Sequence, residues 1–230
     1  MTSAPPVTPG PLHPDRLVAR ARRLATSTPG SRRVLGITGP PGAGKSTLAA
    51  HLAAALGDLA ALVPMDGFHL AEAELRRLGR TDRKGAPDTF DAAGYATLLH
   101  RLRHPAEGPT PGATVYAPAF DRGLEEPVAG SIPVPPEVPL VLTEGNYLLL
   151  DEGPWAAVRP LLDEVWYVDL DPGTRVRRLV DRHTRFGRTP QDAEHFVRTS
   201  DESNARRVAR TRARADLVVT FPAGQAPRPV

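Results

Sequence analysis

The segment Gly39-Pro40-Pro41-Gly42-Ala43-Gly44-Lys45-Ser46, followed by Thr47, satisfies the pattern GxxxxGK[ST] at every fixed position. Glycines let successive backbone N–H groups turn inward around a phosphate chain. A helix opening at Lys45 adds the partial positive charge of its N-terminus. The Lys45 ammonium is placed to reach β- and γ-phosphates, and the Ser46 hydroxyl to bind Mg²⁺. Residues 39–47 therefore read as a nucleotide-phosphate site. The motif by itself does not choose between GTPase, ATPase, nucleotide kinase and metabolite kinase.

Acids follow the apolar runs in a way that suits the same chemistry. Asp66 comes after Ala61-Leu62-Val63-Pro64-Met65, Glu144 after Leu140-Val141-Leu142-Thr143, and Asp169 and Asp171 after Val165-Trp166-Tyr167. In an open parallel sheet, ligands sit beyond the carboxyl ends of the strands. Asp66 is then placed to take the proton of an acceptor hydroxyl near a γ-phosphate, where orientation counts for more than basicity. Glu144 is placed to hold Mg²⁺ directly or through water. Asp171, immediately before Pro172, reads as a helix N-cap instead.

The elements that must position these groups alternate between strand and helix. Apolar periodicity predicts helices over 15–25, 45–56, 70–78 and 92–103, an Arg-rich helix from 172, and one helix from about 190 to 212. Strands are expected at 33–38, 59–65, 140–143, 164–170 and 215–221. Residues 106–139, dense in Pro and Gly, predict a small hairpin or flap outside the core. Loose tails are expected before residue 14 and after 222, around one domain spanning 15–222. This alternation implies an α/β fold: a parallel sheet with helices on both faces.

Composition removes several alternatives. The 230 residues contain no cysteine, which excludes disulfides, thiolate zinc sites, iron–sulfur clusters and cysteine nucleophiles. The first residues show no apolar stretch of the kind a secretory signal needs, and no run is long enough to span a membrane, so a cytoplasmic protein is expected. The net charge of +3 and the few aromatics make a nucleic-acid partner unexpected. Only Lys45 and Lys84 are lysine, and both lie in motifs that matter below. Residues 175–214 hold twelve arginines against five acids, an excess that suits phosphate or a solvated helix face.

Together, the phosphate loop, Met65-Asp66-Gly67-Phe68-His69 and Glu144-Gly145-Asn146-Tyr147 resemble the uridine kinase, pantothenate kinase and phosphoribulokinase group of P-loop kinases. Within it the chain looks most like bacterial nucleoside/nucleotide kinase-like proteins, also described as proposed fructose-transport kinases. The likeness covers about 33–221 and includes the segments 83–91 and 117–122. It implies a P-loop NTPase fold, ATP and Mg²⁺ as cofactors, and a lid over about 175–200. Asp66 then looks like the catalytic base, Glu144 like the metal-associated acid, and Asp88 like the acid that grips acceptor hydroxyls. Arg178, Arg182, Arg185 and Arg188 fall where the group has its lid, which brings positive charge onto the phosphates and excludes water.

The chain also departs from the group's pattern. Uridine kinases carry a Tyr and a following His that read the base near positions 116–122, where this chain has Phe120 and Asp121. His69 stands where an aromatic would follow the D-x-F segment. His69, Arg83, Lys84 and Arg122, with Tyr147 of the Glu144 segment, are thus expected to line a polar acceptor pocket. Such a pocket suits a sugar, or an acceptor bearing phosphate or carboxylate. The expected activity is ATP- and Mg²⁺-dependent transfer to a hydroxyl of a small metabolite. The alternative is a P-loop ATPase or nucleotide switch with no such acceptor. Relatives of this kind are often dimers or tetramers, so a homodimer is one assembly the resemblance admits.

Overall fold

The computed structural model describes residues 12–28, 30–107 and 110–221. The expected tails fall almost wholly outside these residues. Five parallel strands form the central sheet: β1 (Arg33–Thr38), β2 (Ala60–Leu62), β5 (Leu140–Glu144), β6 (Glu164–Val168) and β7 (Leu217–Val219). Their spatial order is β2-β5-β1-β6-β7, and β3 (Val115–Asp121) and β4 (Glu126–Val134) form a separate antiparallel hairpin.

Side chains alternate between the two faces of each strand, as a period of two requires. Leu35, Ile37, Leu140, Leu142, Trp166 and Val168 pack beneath α1 (Pro14–Thr26) and α2 (Lys45–Leu56). Val34, Val141, Val165, Tyr167 and Val218 face α4 (Ala92–Arg103) and the turns of residues 147–162. In α4, Tyr95, Leu98, Leu99 and Leu102 form the buried stripe, and the Asp91 side chain caps the helix at Gly94 N. Helix α5 (Pro172–Arg185) is capped by Asp171 through Thr174 N, with Pro172 in its first turn, as the sequence predicts. Among the described residues no helix is long and apolar enough to cross a membrane.

Three elements differ from expectation. The second strand ends early, because Pro64 has no N–H to continue the ladder and Met65–Phe68 coil into a 3₁₀ turn. The single helix expected from 190 is instead α6 (Pro190–Phe196), a π turn over Val197–Asp201, and α7 (Glu202–Ala209). Within that wider turn Asp201 is buried and accepts a bond from His183 Nε2 at 2.8 Å. The expected hairpin has strands of seven and nine residues, with a bulge around Pro118. Its base is not peripheral, since Val115, Ala117 and Val134 are buried in the core.

One partly buried junction ties the sheet to α4. Asp163 accepts from Val34 N at 2.8 Å, Arg33 Nη1 at 2.8 Å and Arg103 Nη1 at 2.7 Å. Asp163→Ala removes a shared partner from two guanidiniums, each of which keeps one other acceptor, and leaves Val34 N without its acceptor, so unfolding free energy in a urea titration should fall by about 2 kcal/mol. A loss below about 1 kcal/mol would mean that solvent satisfies the junction.

Candidate active site

The parallel pairing of β1 with β5 brings the phosphate loop and the acids together. Ile37 lies in register with Glu144, so the loop that leaves β1 begins beside the end of β5. Gly44 caps α2 in the left-handed conformation, φ +98°, which a side chain would strain. Ser46, in the first turn, donates to Glu144 Oε1 at 2.8 Å. Lys45 is buried, and its Nζ donates to Pro40 O at 3.1 Å across the loop.

Thr143 sets the spacing of the two acids. Its hydroxyl donates to Val63 O at 2.6 Å and accepts from the Tyr95 hydroxyl at 2.6 Å. This locks the ends of β2 and β5, three residues before Asp66 and one before Glu144. Asp66 sits in the 3₁₀ turn with its side chain partly exposed to the cleft. The following Gly67 lies so close to the hairpin that a Cβ would come 2.3 Å from Pro118 O.

Burial dominates the electrostatics here. It pushes the Lys45 ammonium down to about 8, against the pull of Glu144 and Asp66, while Arg182 and Arg175 push the same way as burial. Burial also pushes the Glu144 carboxyl above its ordinary range, and the Asp66 charge adds to this. Both buried charges are therefore held in a state that a ligand of opposite charge would relieve.

The lid arginines divide into distinct settings. An Arg178 guanidinium nitrogen lies 3.8 Å from where a Cβ on Gly44 would stand, directly over the loop. Arg182 is near enough for its charge to act on Lys45. Arg188 instead lies 4.1 Å from the Phe196 ring centroid, held within the lid itself. Arg185 is exposed at the end of α5.

On the hairpin side of Asp66, His69 donates from Nδ1 to Asp66 O at 2.9 Å and packs its ring on Phe90 and Phe120. Burial lowers its proton affinity despite the nearby Asp66 carboxylate. Asp88 is gripped by Arg83 at 2.9 Å and faces Arg80 at 3.4 Å. Lys84 donates to Glu125 O at 2.9 Å. Arg122 comes within 3.7 Å of Asp66 Oδ2. Tyr147 is fully buried and its hydroxyl donates to Gly85 O, so it holds the loop beneath the cleft.

Sequence reasoning passed over Arg175. It is buried, donates to Pro41 O of the phosphate loop at 3.2 Å, and pairs with Glu202 of α7. Its position four residues before the buried Leu179, on the apolar stripe of α5, was the available signal.

A parallel sheet in this strand order, with a glycine-rich loop between β1 and α2 and acids at neighbouring strand ends, defines an α/β P-loop NTPase fold. The chain belongs to the Phosphoribulokinase / Uridine kinase family, which matches residues 34–224. A crystal structure described as a proposed fructose transport system kinase from Silicibacter sp. TM1040 is similar, with a TM-score of 0.80. The two are 35% identical, covering 91% of this chain and 100% of that one. The ATP-dependent kinase-like protein notR' of Aspergillus versicolor is 36% identical over 154 residues, 64% of this chain and 88% of that protein. A provisionally assigned uridine kinase of Schizosaccharomyces pombe is 32% identical over 216 residues, 89% of each chain. The protein is thus a P-loop kinase of the uridine kinase, pantothenate kinase and phosphoribulokinase type.

Arg175 ties the loop to the lid, so Arg175→Leu should weaken ATP binding about tenfold, as losing one hydrogen bond from a charged group would. Arg175→Lys, which keeps the charge but not the planar fork, should recover part of it. An ATP Kd unchanged in Arg175→Leu, measured by calorimetry, would show that the loop keeps its shape without the tie.

Proposed function

We propose that this chain transfers the γ-phosphoryl group of ATP to a hydroxyl of a small metabolite such as a nucleoside, a sugar or a related acceptor. The observation that carries this reading is a partly exposed carboxylate, Asp66, at the strand end beside the Lys45–Ser46–Glu144 cluster. A nucleotide switch has no need of an acid open to the cleft at that point, whereas transfer to an alcohol does.

ATP binds with its phosphates along residues 39–47, Lys45 neutralising the β- and γ-phosphates. The acceptor hydroxyl is oriented by Asp66 for in-line attack on the γ-phosphorus. The bond from acceptor oxygen to phosphorus forms as the bond to the β–γ bridging oxygen breaks. ADP departs, and the hydroxyl proton passes to the Asp66 carboxylate. Arg178 and Arg182 cover the transferring group, and Arg188 joins them as the lid closes. His69, Lys84, Asp88 and Arg122 bound the acceptor side, with Tyr147 beneath it.

The residues suit Mg²⁺. Ser46 Oγ and Glu144 Oε1 are two hard oxygens 2.8 Å apart at the foot of the loop. No group of three or more His, Cys, Asp or Glu that could hold a metal occurs among the described residues. That pattern fits an ion that keeps several waters and takes its remaining ligands from phosphate. Bound there, Mg²⁺ supplies charge neutralisation for the β- and γ-phosphates.

The test is ADP release from Mg·ATP over a panel of nucleosides, sugars, hydroxy acids and sugar phosphates. At least one acceptor should raise the rate well above the acceptor-free level. Asp66→Asn should then lower kcat by about 10²–10⁴-fold with ATP affinity nearly intact, and Lys45→Ala should damage both binding and turnover. Hydrolysis independent of any acceptor and unaffected by Asp66→Asn would refute the reading and favour an ATPase or switch.

A further inference from the structure

Of the four polar residues expected at the acceptor pocket, three have partners that account for them. Arg83 is bound to Asp88 at 2.9 Å. Lys84 donates to Glu125 O at 2.9 Å and lies 3.6 Å from Glu72, and the Glu126 carboxylate accepts from Glu72 N. These contacts fasten the tip of the hairpin to α3 (Glu72–Arg77). They also hold Glu125, whose left-handed φ of +56° is disfavoured for a residue with a side chain. His69 is committed to Asp66 O and to the faces of two phenylalanines.

Arg122 is different. Among the described residues its guanidinium makes no hydrogen bond. It lies over the Phe120 ring, 5.8 Å from the centroid, and its nearest acid is Asp66 at 3.7 Å, beyond hydrogen-bond reach. Its side chain is 57% exposed, so it opens onto the cleft while the aromatic ring restricts its plane. Its approach to Asp66 places it on the Asp66 side of the hairpin.

We propose that Arg122 receives an anionic group of the acceptor, a carboxylate or a phosphate monoester. The inference rests on the kinase reading above and narrows its acceptor to a hydroxy acid or a sugar phosphate. A planar guanidinium steadied on a ring presents paired N–H donors that match either anion bidentately. The 3.7 Å between Arg122 and Asp66, extended by a hydrogen bond of about 2.8 Å at each end, limits the distance from attacked hydroxyl to anion to about 9 Å. The acceptor is therefore compact. An incoming anion draws Arg122 away from Asp66 and leaves that carboxylate to the hydroxyl. A neutral acceptor of the same shape covers Arg122 without pairing it, which is how a polar site rejects an analogue lacking the matching group.

The experiment is calorimetric titration with the nucleotide site saturated by Mg²⁺ and a non-hydrolysable ATP analogue, so that the phosphate loop does not compete for anions. The probes are matched pairs: glycerol and D-glycerate, D-ribose and D-ribose 5-phosphate, D-fructose and D-fructose 6-phosphate. At least one anionic member should bind about tenfold or more tighter than its neutral counterpart. Glycerate in that role assigns a carboxylate, and a sugar phosphate alone assigns a phosphate. Arg122→Gln should erase the preference and Arg122→Lys keep part of it, both with thermal midpoints near the parent because the side chain is outside the core.

A neutral member binding as tightly, a preference that survives Arg122→Gln, or no binding by any anionic member overturns the inference. ADP release measured in parallel separates the two readings. Asp66-dependent turnover of a neutral acceptor as fast as its anionic partner overturns the role of Arg122 and leaves the kinase. Anion binding at Arg122 with only acceptor-independent hydrolysis overturns the kinase reading and leaves the anion site.

Discussion

Lys45 and Glu144 are opposite charges buried in one crevice, and much of the molecule serves to keep them there. Burial lowers the proton affinity of the ammonium and raises that of the carboxyl, so each resists the charged form that would attract the other. Their partners within the chain are modest: Pro40 O for the lysine and the Ser46 hydroxyl for the glutamate. A polyphosphate beside Lys45 favours the ammonium, and a cation beside Glu144 favours the carboxylate. Binding of such groups and ionisation of these two side chains would then reinforce one another.

Strand pairing is what makes the crevice. The β1–β5 register sets Ile37 opposite Glu144, and the Thr143 hydroxyl fastens β5 to Val63 at the end of β2. The phosphate loop, the Glu144 acid and the Asp66 acid thus emerge from three adjacent strands. Arg175 adds a tie from the lid helix to Pro41. The loop is accordingly held on the sheet side by the strands and on the lid side by one buried guanidinium, whose charge is balanced by Glu202.

The hairpin governs the other half of the cleft. Its base belongs to the core through Val115, Ala117 and Val134, while its tip is fastened by Lys84 and by Glu126. Between them, Pro118 approaches the backbone of Gly67 so closely that no side chain fits there. The prolines at 118, 127 and 133 also keep its strands from extending the pairing to another chain. An arm anchored at both ends can hold Phe120 in place, while the exposed Arg122 side chain reaches from it toward Asp66. The contacts that hold the hairpin are thereby separate from those that hold the phosphate loop.

The sequence alone determined whatever depends on local pattern. The glycine-rich loop and its helix, the Asp171 cap, the alternation of strands and helices, and the acids at strand ends were legible because each is encoded within a few neighbouring residues. Helix 190–212 was misjudged because its break comes from a contact across the lid, Asp201 turning inward to His183, which no local pattern carries. Arg175 counts in sequence only as one of the twelve arginines of 175–214, since nothing in its neighbours reveals that Pro41 and Glu202 wait on the other side. Arg83, Lys84 and Arg122 looked equivalent in sequence. Only tertiary contacts separated Arg83 and Lys84, which are hydrogen-bonded to Asp88 and to Glu125 O, from Arg122, whose one acidic neighbour among the described residues, Asp66, lies 3.7 Å away. Residue type and spacing state which chemistry is available; which charges remain uncommitted depends on partners distant in the chain, and those are brought together only by the fold.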